Sequence, residues 1–486
     1  MKIGGTMSKL INRSNMKLLL LILTIIGYVP YISSYFDKFT EIVLIIIFLM
    51  STYDLYLNRN LILKSKIGIL LLTAPLFYIF TIFLNGFYFN DLKMLVYITI
   101  LTSFLCLDCV NNKNPLDELE NSSKIMAYFT FVMVIASLIV YFMRVTIPFS
   151  TDVFTEKYIG FYNNSLYGIL GNSNVLCFFS FIGIFSSLYL FNKNKFFHSA
   201  NIILQFICIV LSNSRGGYLG LLFSTTLYTF LYINAFKNSS ISKSLLKTAL
   251  VIIAILLSTH AIKNINTHIF VLLDNDNVIS QAESIDKIEP SADNHEENTI
   301  DSNMKSDTET NTVIQTEPII EEESITTRNP EEKQGNVNRR LDMYRAGLNC
   351  FIDNPLFGVG REQTSSILCE KYLSKDSAMN NIGLAYNMHN IYIQVLAGCG
   401  LFGFISVFGF IFVLAIKSLL AVFKKNKQKK EMMFLITLIS YCAYALFANL
   451  FESELYLSRS ITAVFFWLCL GYLFNYFFNG GCTNEK

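Results

Sequence analysis

Long runs of apolar residues, separated by short polar stretches, recur along most of the chain. A helix needs about 20 mainly apolar residues to cross the hydrocarbon core of a bilayer, and the runs have this length. Twelve segments qualify, near residues 17–34, 39–57, 66–84, 91–110, 124–143, 174–192, 196–213, 216–236, 244–263, 390–416, 432–450 and 460–478. We therefore predict an all-α integral membrane protein of about twelve transmembrane helices.

The composition agrees with this prediction and argues against a soluble enzyme. Of the 486 residues, 53% are hydrophobic and only 15% are charged. The formal net charge is +2, which gives no general basic excess that would indicate a nucleic-acid partner. Ionisable residues at mid-membrane depth usually mark ion pathways, and the predicted spans carry theirs near the ends. This pattern argues against an ion-coupled transporter.

The lysine and arginine residues predict the orientation of the spans, because positively charged short loops stay in the cytoplasm. With a cytoplasmic N-terminus, 21 such residues fall on the cytoplasmic side and six in the short outer loops. The first apolar run is not followed by a small-residue cleavage site, so we interpret it as a retained helix. Both termini are then cytoplasmic, and one long loop lies outside.

The predicted organisation has three parts. Residues 1–264 carry spans one to nine, 265–388 form the large outer loop, and 389–486 carry spans ten to twelve. Within the loop, residues 275–334 are rich in acidic and polar side chains, so we predict that they are disordered. Residues 337–388 are predicted to be folded.

The folded part of the loop opens with an amphipathic pattern. Leu341, Tyr344, Leu348 and Phe351 recur at helical spacing. The pair Asn354-Pro355 is expected to end this helix, because the residue before a proline is disfavoured in the helical region.

Four motifs on the predicted outer side resemble those of the O-antigen ligase and polymerase superfamily of bacterial membrane glycosyltransferases. The motifs follow one another in the family's order, and the resemblance covers roughly residues 160–480. They are YGILGNSNVL at 167–176, LSNSRGGYLG at 211–220, RLDMYRAGLNCFIDNPLFGVG at 340–360 and MHNIYIQVLAGCGLFG at 388–403. The inserted acidic stretch departs from the family's pattern.

The resemblance implies a fold, a chemistry, partners and a location in the bacterial inner membrane. The fold is the all-helical membrane glycosyltransferase type, GT-C-like. Such enzymes take a glycan from a polyprenyl diphosphate carrier at the outer face of the membrane and transfer it to a glycan or lipid acceptor. They need no metal and no cofactor, and no metal-ligand spacing stands out in this sequence.

Arginine is suited to bind the diphosphate, since its guanidinium stays charged and binds two oxygens in parallel. Arg215, which precedes Gly216 and Gly217, is the first candidate; the alternative is an arginine that anchors a helix end. Arg340 is the second candidate, with Arg339 or Arg345 in support. The alternative for these three is a solvated basic helix end.

An acceptor hydroxyl needs a general base, and histidine titrates near neutral pH. His389 begins the tenth span, beside Asn390, which we predict to bind substrate. The alternative is a histidine that merely lies at the membrane interface. Glu452 and Glu454, in the last outer loop, are a minor alternative as the base.

The predicted function is polymerisation of an undecaprenyl-diphosphate-linked oligosaccharide in surface polysaccharide biosynthesis, such as O-antigen or capsule. Ligation of a finished glycan to a lipid or protein acceptor is the second reading. A polysaccharide or lipid exporter and a non-enzymatic membrane scaffold are alternatives of other classes.

Overall fold

A computed structural model describes residues 12–29, 32–57, 59–107, 114–148, 158–162, 165–237, 240–285, 330–361, 364, 371–372, 388–424 and 427–478. The first helices are α1 (Arg13–Ile26), α2 (Ser33–Leu57), α3 (Arg59–Ile62), α4 (Lys66–Asn85), α5 (Phe89–Thr99) with its π-helical continuation Ile100–Cys106, and α6 (Pro115–Phe142). Next come β1 (Thr146–Pro148), β2 (Tyr158–Tyr162), β3 (Ser165–Gly168), α7 (Ser173–Leu190), α8 (Lys195–Leu211), α9 (Arg215–Phe236) and α10 (Ile241–Ile285). The last are α11 (Pro330–Asp353), α12 (Ile391–Phe423), α13 (Lys429–Ala448) and α14 (Ile461–Phe478).

The prediction of an all-α integral membrane protein is confirmed. All twelve predicted segments contain a helix, and ten helices among the described residues are long and apolar enough to cross a membrane. The other two are shorter, because α1 has 14 residues and α8 has 17. By length and composition, the predicted number of about twelve is therefore ten within the described part of the chain.

A small antiparallel sheet between α6 and α7 was not predicted. β1 pairs with β2, and β2 pairs with β3, so that Thr146 lies opposite Gly160 and Phe161 opposite Leu166. Gly160 has φ +108°, and a Cβ there would lie 1.7 Å from the carbonyl oxygen of Val145. Three such short strands give too weak a periodic pattern to stand out beside the membrane spans.

The chain forms two compact units, residues 1–258 with 328–486 and residues 259–327. In the first unit, α14 is the most deeply buried span, with Trp467 and most of its neighbours shielded, whereas α2 exposes most of its side chains. A helix that is apolar all round suits either a core or a lipid surface. The described part of the second unit continues α10, where Asn264 Nδ2 lies 3.0 Å from His260 Nε2.

The predicted disordered segment, 275–334, overlaps helices at both ends. α10 continues to Ile285 and α11 begins at Pro330, and residues 286–329 lie outside the described residues. Helices therefore extend into both flanks of the segment, and its disorder stays a prediction. Composition marks where apolar residues stop, but glutamate, glutamine and alanine can continue an exposed helix. The three-part division of the chain stays a prediction.

The N-terminal end of α1 is fixed by an ion pair of the buried residue Arg13. Arg13 Nη1 lies 2.5 Å from Asp54 Oδ2, and its Nη2 donates to the carbonyl oxygens of Ser103 at 2.8 Å and Phe104 at 3.0 Å. Ser103 and Phe104 belong to the π-helical segment, whose wider turn leaves carbonyl groups available. A basic residue counted in the sequence as a topology signal thus also joins three helices.

The loop after α11 fits into a break in α12. Gly400 interrupts α12 with φ +64° and ψ −170°. Around this break the backbone N–H of Val359 donates to Ala397 at 3.0 Å, and that of Leu401 donates to Pro355 at 2.8 Å. A Cβ at Gly400 would lie 2.3 Å from the carbonyl oxygen of Leu356. The Pro-Leu-Phe-Gly-Val-Gly motif therefore supplies backbone hydrogen-bond partners to the interrupted turn of α12.

Candidate active site

His389 stands at the start of α12 in a conformation that local sequence does not favour. Its φ is +46°, in the left-handed region that non-glycine residues seldom adopt. Its carbonyl oxygen accepts a hydrogen bond from the Tyr344 hydroxyl at 3.0 Å. The next residue, Asn390, caps α12 by accepting from the N–H groups of Tyr392 at 3.0 Å and Ile393 at 3.1 Å. The cap and the tyrosine together fix where the imidazole projects.

Asn390 also joins α12 to the segment between α13 and α14. Its backbone N–H donates to Ser453 Oγ at 2.9 Å, and its side-chain Nδ2 donates to the carbonyl oxygen of Leu450 at 3.1 Å. Both ends of the amide are thus engaged by protein backbone. The predicted substrate-binding role of Asn390 stays a prediction, and the structure shows it as the cap of α12 in contact with the segment after α13.

Glu452 is the centre of the polar cluster at this end of the molecule. It is only 9% exposed. One carboxylate oxygen, Oε2, lies 3.0 Å from His389 Nδ1. The other, Oε1, accepts from Asn174 Nδ2 at 2.7 Å and lies 3.7 Å from Arg340 Nη2. Residues from α7, α11 and the start of α12 therefore meet at one carboxylate.

Arg340 and Tyr344 reach this cluster from the same face of α11. Arg340 is 38% exposed in its side chain, so its guanidinium is half open to solvent while it faces Glu452. Burial raises the pKa of the Tyr344 hydroxyl above its usual value, an effect that nearby Arg340 opposes and Glu452 reinforces. Tyr344 therefore remains a neutral hydrogen-bond donor to the backbone.

Of the other two arginines predicted on α11, Arg345 does not join the cluster. Arg345 is 78% exposed and lies 3.7 Å from Asp342, one helical turn earlier on its own helix. At about 100° per residue it points about 140° away from Arg340. Arg339 belongs to α11, but its side chain lies outside the described residues. A supporting role for either stays a prediction, and Arg345 faces the wrong way for it.

Arg215 begins α9 at the same end of the molecule. Ser214 caps the helix by accepting from the N–H of Gly217 at 3.4 Å. Arg215 is exposed and forms no ion pair with a described residue. A Cβ at Gly216 would lie 3.0 Å from Phe451 Cβ, so the start of α9 packs directly beside the residue that precedes Glu452.

The glycines after Arg215 lie at close contacts between helices. A Cβ at Gly217 would lie 2.2 Å from Cys177 Sγ, and one at Gly220 would lie 2.8 Å from the Tyr444 ring. The missing side chains allow α9 to pack closely against α7 and α13, and this packing brings Arg215 to the site.

Glu454 has a separate environment, although it is only two residues from Glu452. Its Oε2 accepts from Ser458 Oγ at 3.0 Å, and its backbone N–H donates to Asn449 Oδ1 at 2.7 Å. Burial raises the pKa of Glu454, and the neighbouring Glu452 carboxylate raises it further. Of the two acids proposed as alternative bases, Glu452 is the one that contacts His389.

Sequence reasoning missed Asn174 as a site residue and gave Glu452 only a minor place. Asn174 belongs to the Gly-Asn-Ser-Asn stretch at 171–174, which was noted as a motif without a role. Asn172 in this stretch caps α7 and so orients Asn174. The spacing between Asn174 and Glu452 in the chain gives no sign of their contact, because α8 to α13 lie between them.

Residues 200–408 of the chain match the family model described as O-antigen ligase. This region belongs to the O-antigen ligase family. The O-antigen ligase region contains Arg215, Arg340 and His389, whereas Asn174 and Glu452 lie on either side of it. The predicted resemblance is confirmed. No curated protein sequence matches the chain.

The described residues contain no cluster of three or more His, Cys, Asp or Glu side chains that could hold a metal ion. Glu452 and His389 contact each other directly, with 3.0 Å between Oε2 and Nδ1. Metal independence of the O-antigen ligase region stays a prediction.

Proposed function

We propose that this protein is a membrane glycosyltransferase of surface polysaccharide biosynthesis that polymerises an oligosaccharide carried on a polyprenyl diphosphate. The observation that carries the proposal is a cluster in which Glu452 lies within 4 Å of both His389 and Arg340. The central region of the chain matches the O-antigen ligase family. A general base, an acid that orients it and a cation for phosphate are the groups that such a transfer needs.

In the proposed reaction, a hydroxyl oxygen of the acceptor glycan attacks the anomeric carbon of the donor sugar. The bond from that carbon to the phosphate oxygen breaks, and the diphosphate leaves with the electron pair. His389 takes the proton of the attacking hydroxyl and later releases it to solvent. A single in-line displacement of this kind inverts the anomeric centre.

Arg215 and Arg340 are proposed to bind the diphosphate from two sides. They come from α9 and α11, and both are accessible at the end of the molecule that contains His389. Negative charge grows on the leaving diphosphate in the transition state, so fixed cations there lower the barrier. The polyprenyl chain of the donor would stay in the outer leaflet of the inner membrane.

The test supplies the purified protein in lipid with lipid-linked repeat units from its host and measures the sizes of the products. We expect a ladder of glycan lengths from the unaltered chain. His389→Ala is expected to slow turnover by about 10²-fold or more, because general-base catalysis contributes that much. His260→Ala replaces an exposed histidine of α10 and is the matched control, expected to retain the ladder.

Different products would point to different functions. If the donor is consumed only after an acceptor lipid or protein is added, and each acceptor receives one glycan, the enzyme is a ligase. If the donor is not consumed under either condition, the glycosyltransferase proposal is wrong and an exporter becomes the better reading. Full activity of His389→Ala would exclude His389 as the base.

A further inference from the structure

We propose that Glu452 is the positioning residue of this site: it selects the tautomer of His389 and orients its ring. The proposal rests on the proposed function, in which His389 takes a proton. It assigns a role to a residue outside the region that matches the O-antigen ligase family, which ends at residue 408.

The hydrogen-bonding chemistry of the pair determines the tautomer. An ionised carboxylate only accepts hydrogen bonds, whereas a neutral imidazole donates from one nitrogen and accepts at the other. Since Glu452 Oε2 lies 3.0 Å from His389 Nδ1, the proton must be on Nδ1. Nε2 is then the nitrogen with the lone pair and the one that can remove a proton from an acceptor hydroxyl.

Glu452 is itself held in place. Asn174 Nδ2 donates to Oε1 at 2.7 Å, which leaves Oε2 directed at the histidine. The segment that carries Glu452 is tied to the start of α12 by two backbone contacts, from Ile391 N–H to the Asn449 carbonyl at 3.0 Å and from Asn390 N–H to Ser453 Oγ at 2.9 Å. The acid and the base therefore cannot separate without breaking the helix start.

Other charged and polar groups surround the pair. Arg340 approaches from α11 and partly offsets the carboxylate charge, and Tyr344 from the same helix contributes a neutral hydroxyl. Glu454, in the same segment as Glu452, has separate hydrogen-bond partners, and α7 contributes the uncharged amide of Asn174.

The experiment follows the reactivity of His389 directly and needs no donor. The full-length protein in lipid is treated with diethyl pyrocarbonate, which acylates neutral imidazole, at one fixed pH. Mass spectrometry of the peptide then gives the rate at which His389 is acylated. In Glu452→Gln we expect this rate to fall several-fold, because the carboxylate no longer holds the proton on Nδ1 and the lone pair on Nε2.

Two further variants separate positioning from a merely structural role. Glu454→Gln is the matched control, two residues away, and should leave the acylation rate of His389 unchanged. Glu452→Asp retains the carboxylate, so its acylation rate should stay close to that of the unaltered protein.

Turnover provides the second readout. In Glu452→Gln, kcat should fall by about 10²-fold while the KM for the donor changes by less than about threefold, since the interaction assists the chemical step and not donor binding. A folded Glu452→Gln variant with an unchanged acylation rate and unchanged kcat would overturn the proposal. If Glu452→Gln does not fold, an unchanged acylation rate in Asn174→Ala, which removes the amide that holds Glu452, overturns it.

The two proposals can fail separately. If acylation slows as expected but the unaltered protein forms no glycan product, the Glu452–His389 pair stands and the glycosyltransferase function is wrong. If product forms and the acylation rate does not respond to Glu452, the function stands and the positioning role is wrong.

Discussion

Some side chains of the candidate active site contact residues that are close in sequence, and others contact residues that are far away in sequence. His389 and Asn390 adjoin the start of a long apolar run, so the sequence alone indicates a polar pair at a helix start. Their partner Glu452 is more than 60 residues away, after α12 and α13. The distinction between Arg340 and Arg345 likewise depends on which face of α11 meets the rest of the fold.

Arg340 and Arg345 allow a test of that distinction. Arg340→Gln should raise the KM for the donor about tenfold, because a charge-assisted hydrogen bond contributes about 1.5–3 kcal/mol. Arg345→Gln alters an exposed residue next to Asp342 and should change the donor KM little. Steady-state kinetics with the lipid-linked donor measures both variants. Equal effects of the two substitutions would show that the site uses the general positive charge of α11.

Glu454 predicts a dependence of stability on pH. Its raised pKa means that the folded state disfavours the ionised carboxylate. At pH values above the usual pKa of a carboxyl group, ionisation of Glu454 therefore lowers the stability of the folded protein. Glu454→Gln should therefore raise the Tm in detergent by about 1–3 °C at pH 7.5. The difference should disappear near pH 4, where the acid is protonated in both states. A Tm lowered by the substitution at pH 7.5 would contradict this assignment.

At the scale of elements, the family motifs combine chemistry with close packing. The Ser-Arg-Gly-Gly motif places Arg215 at a helix start and also removes the side chains that would keep α9 from α7. The Pro-Leu-Phe-Gly-Val-Gly motif carries none of the cluster around Glu452. Its backbone instead satisfies the broken turn of α12, and Asn85 Nδ2 of α4 donates to the Gly358 carbonyl at 3.0 Å.

The break in α12 gives a prediction about stability. Gly400 has a backbone conformation that is essentially restricted to glycine, and an added Cβ would overlap the Leu356 carbonyl. Gly400→Ala should destabilise the protein by at least about 2 kcal/mol. Gly409→Ala is the control on the same helix, where the nearest atom to an added Cβ is Leu70 Cδ2 at 3.3 Å. Unfolding in detergent compares the two, and equal stability would contradict the assignment.

At the scale of the whole molecule, the residues of the candidate active site lie at one end of the helical unit. Asn174, Arg215, His389 and the segment after α13 all lie at helix ends that meet there. Lys193 lies at the other end of α7 and pairs with Glu120 of α6. The distribution of lysine and arginine predicts that the His389 end faces outward and the Lys193 end faces the cytoplasm.

This orientation can be tested by cysteine labelling on intact cells. The starting variant lacks Cys109, Cys369 and Cys482, since the seven cysteines in the described residues are buried. Arg459→Cys should react with a membrane-impermeant maleimide added from outside, because Arg459 is exposed at the His389 end. Lys193→Cys should react only after the membrane is opened. The reverse pattern would place the site in the cytoplasm.

The sequence by itself determined the membrane class, the position of nearly every helix and the family resemblance, and it predicted His389, Arg215 and Arg340 as site residues. These depend on local properties: run length, helix-start chemistry and short motifs. Only the tertiary structure decided that Glu452 and Asn174 complete the site, that Asn390 is a cap, and that Gly217 serves helix packing. Those roles depend on contacts between helices far apart in the chain, and an apolar span carries little information about which neighbour it will meet, since every face of it is compatible with lipid.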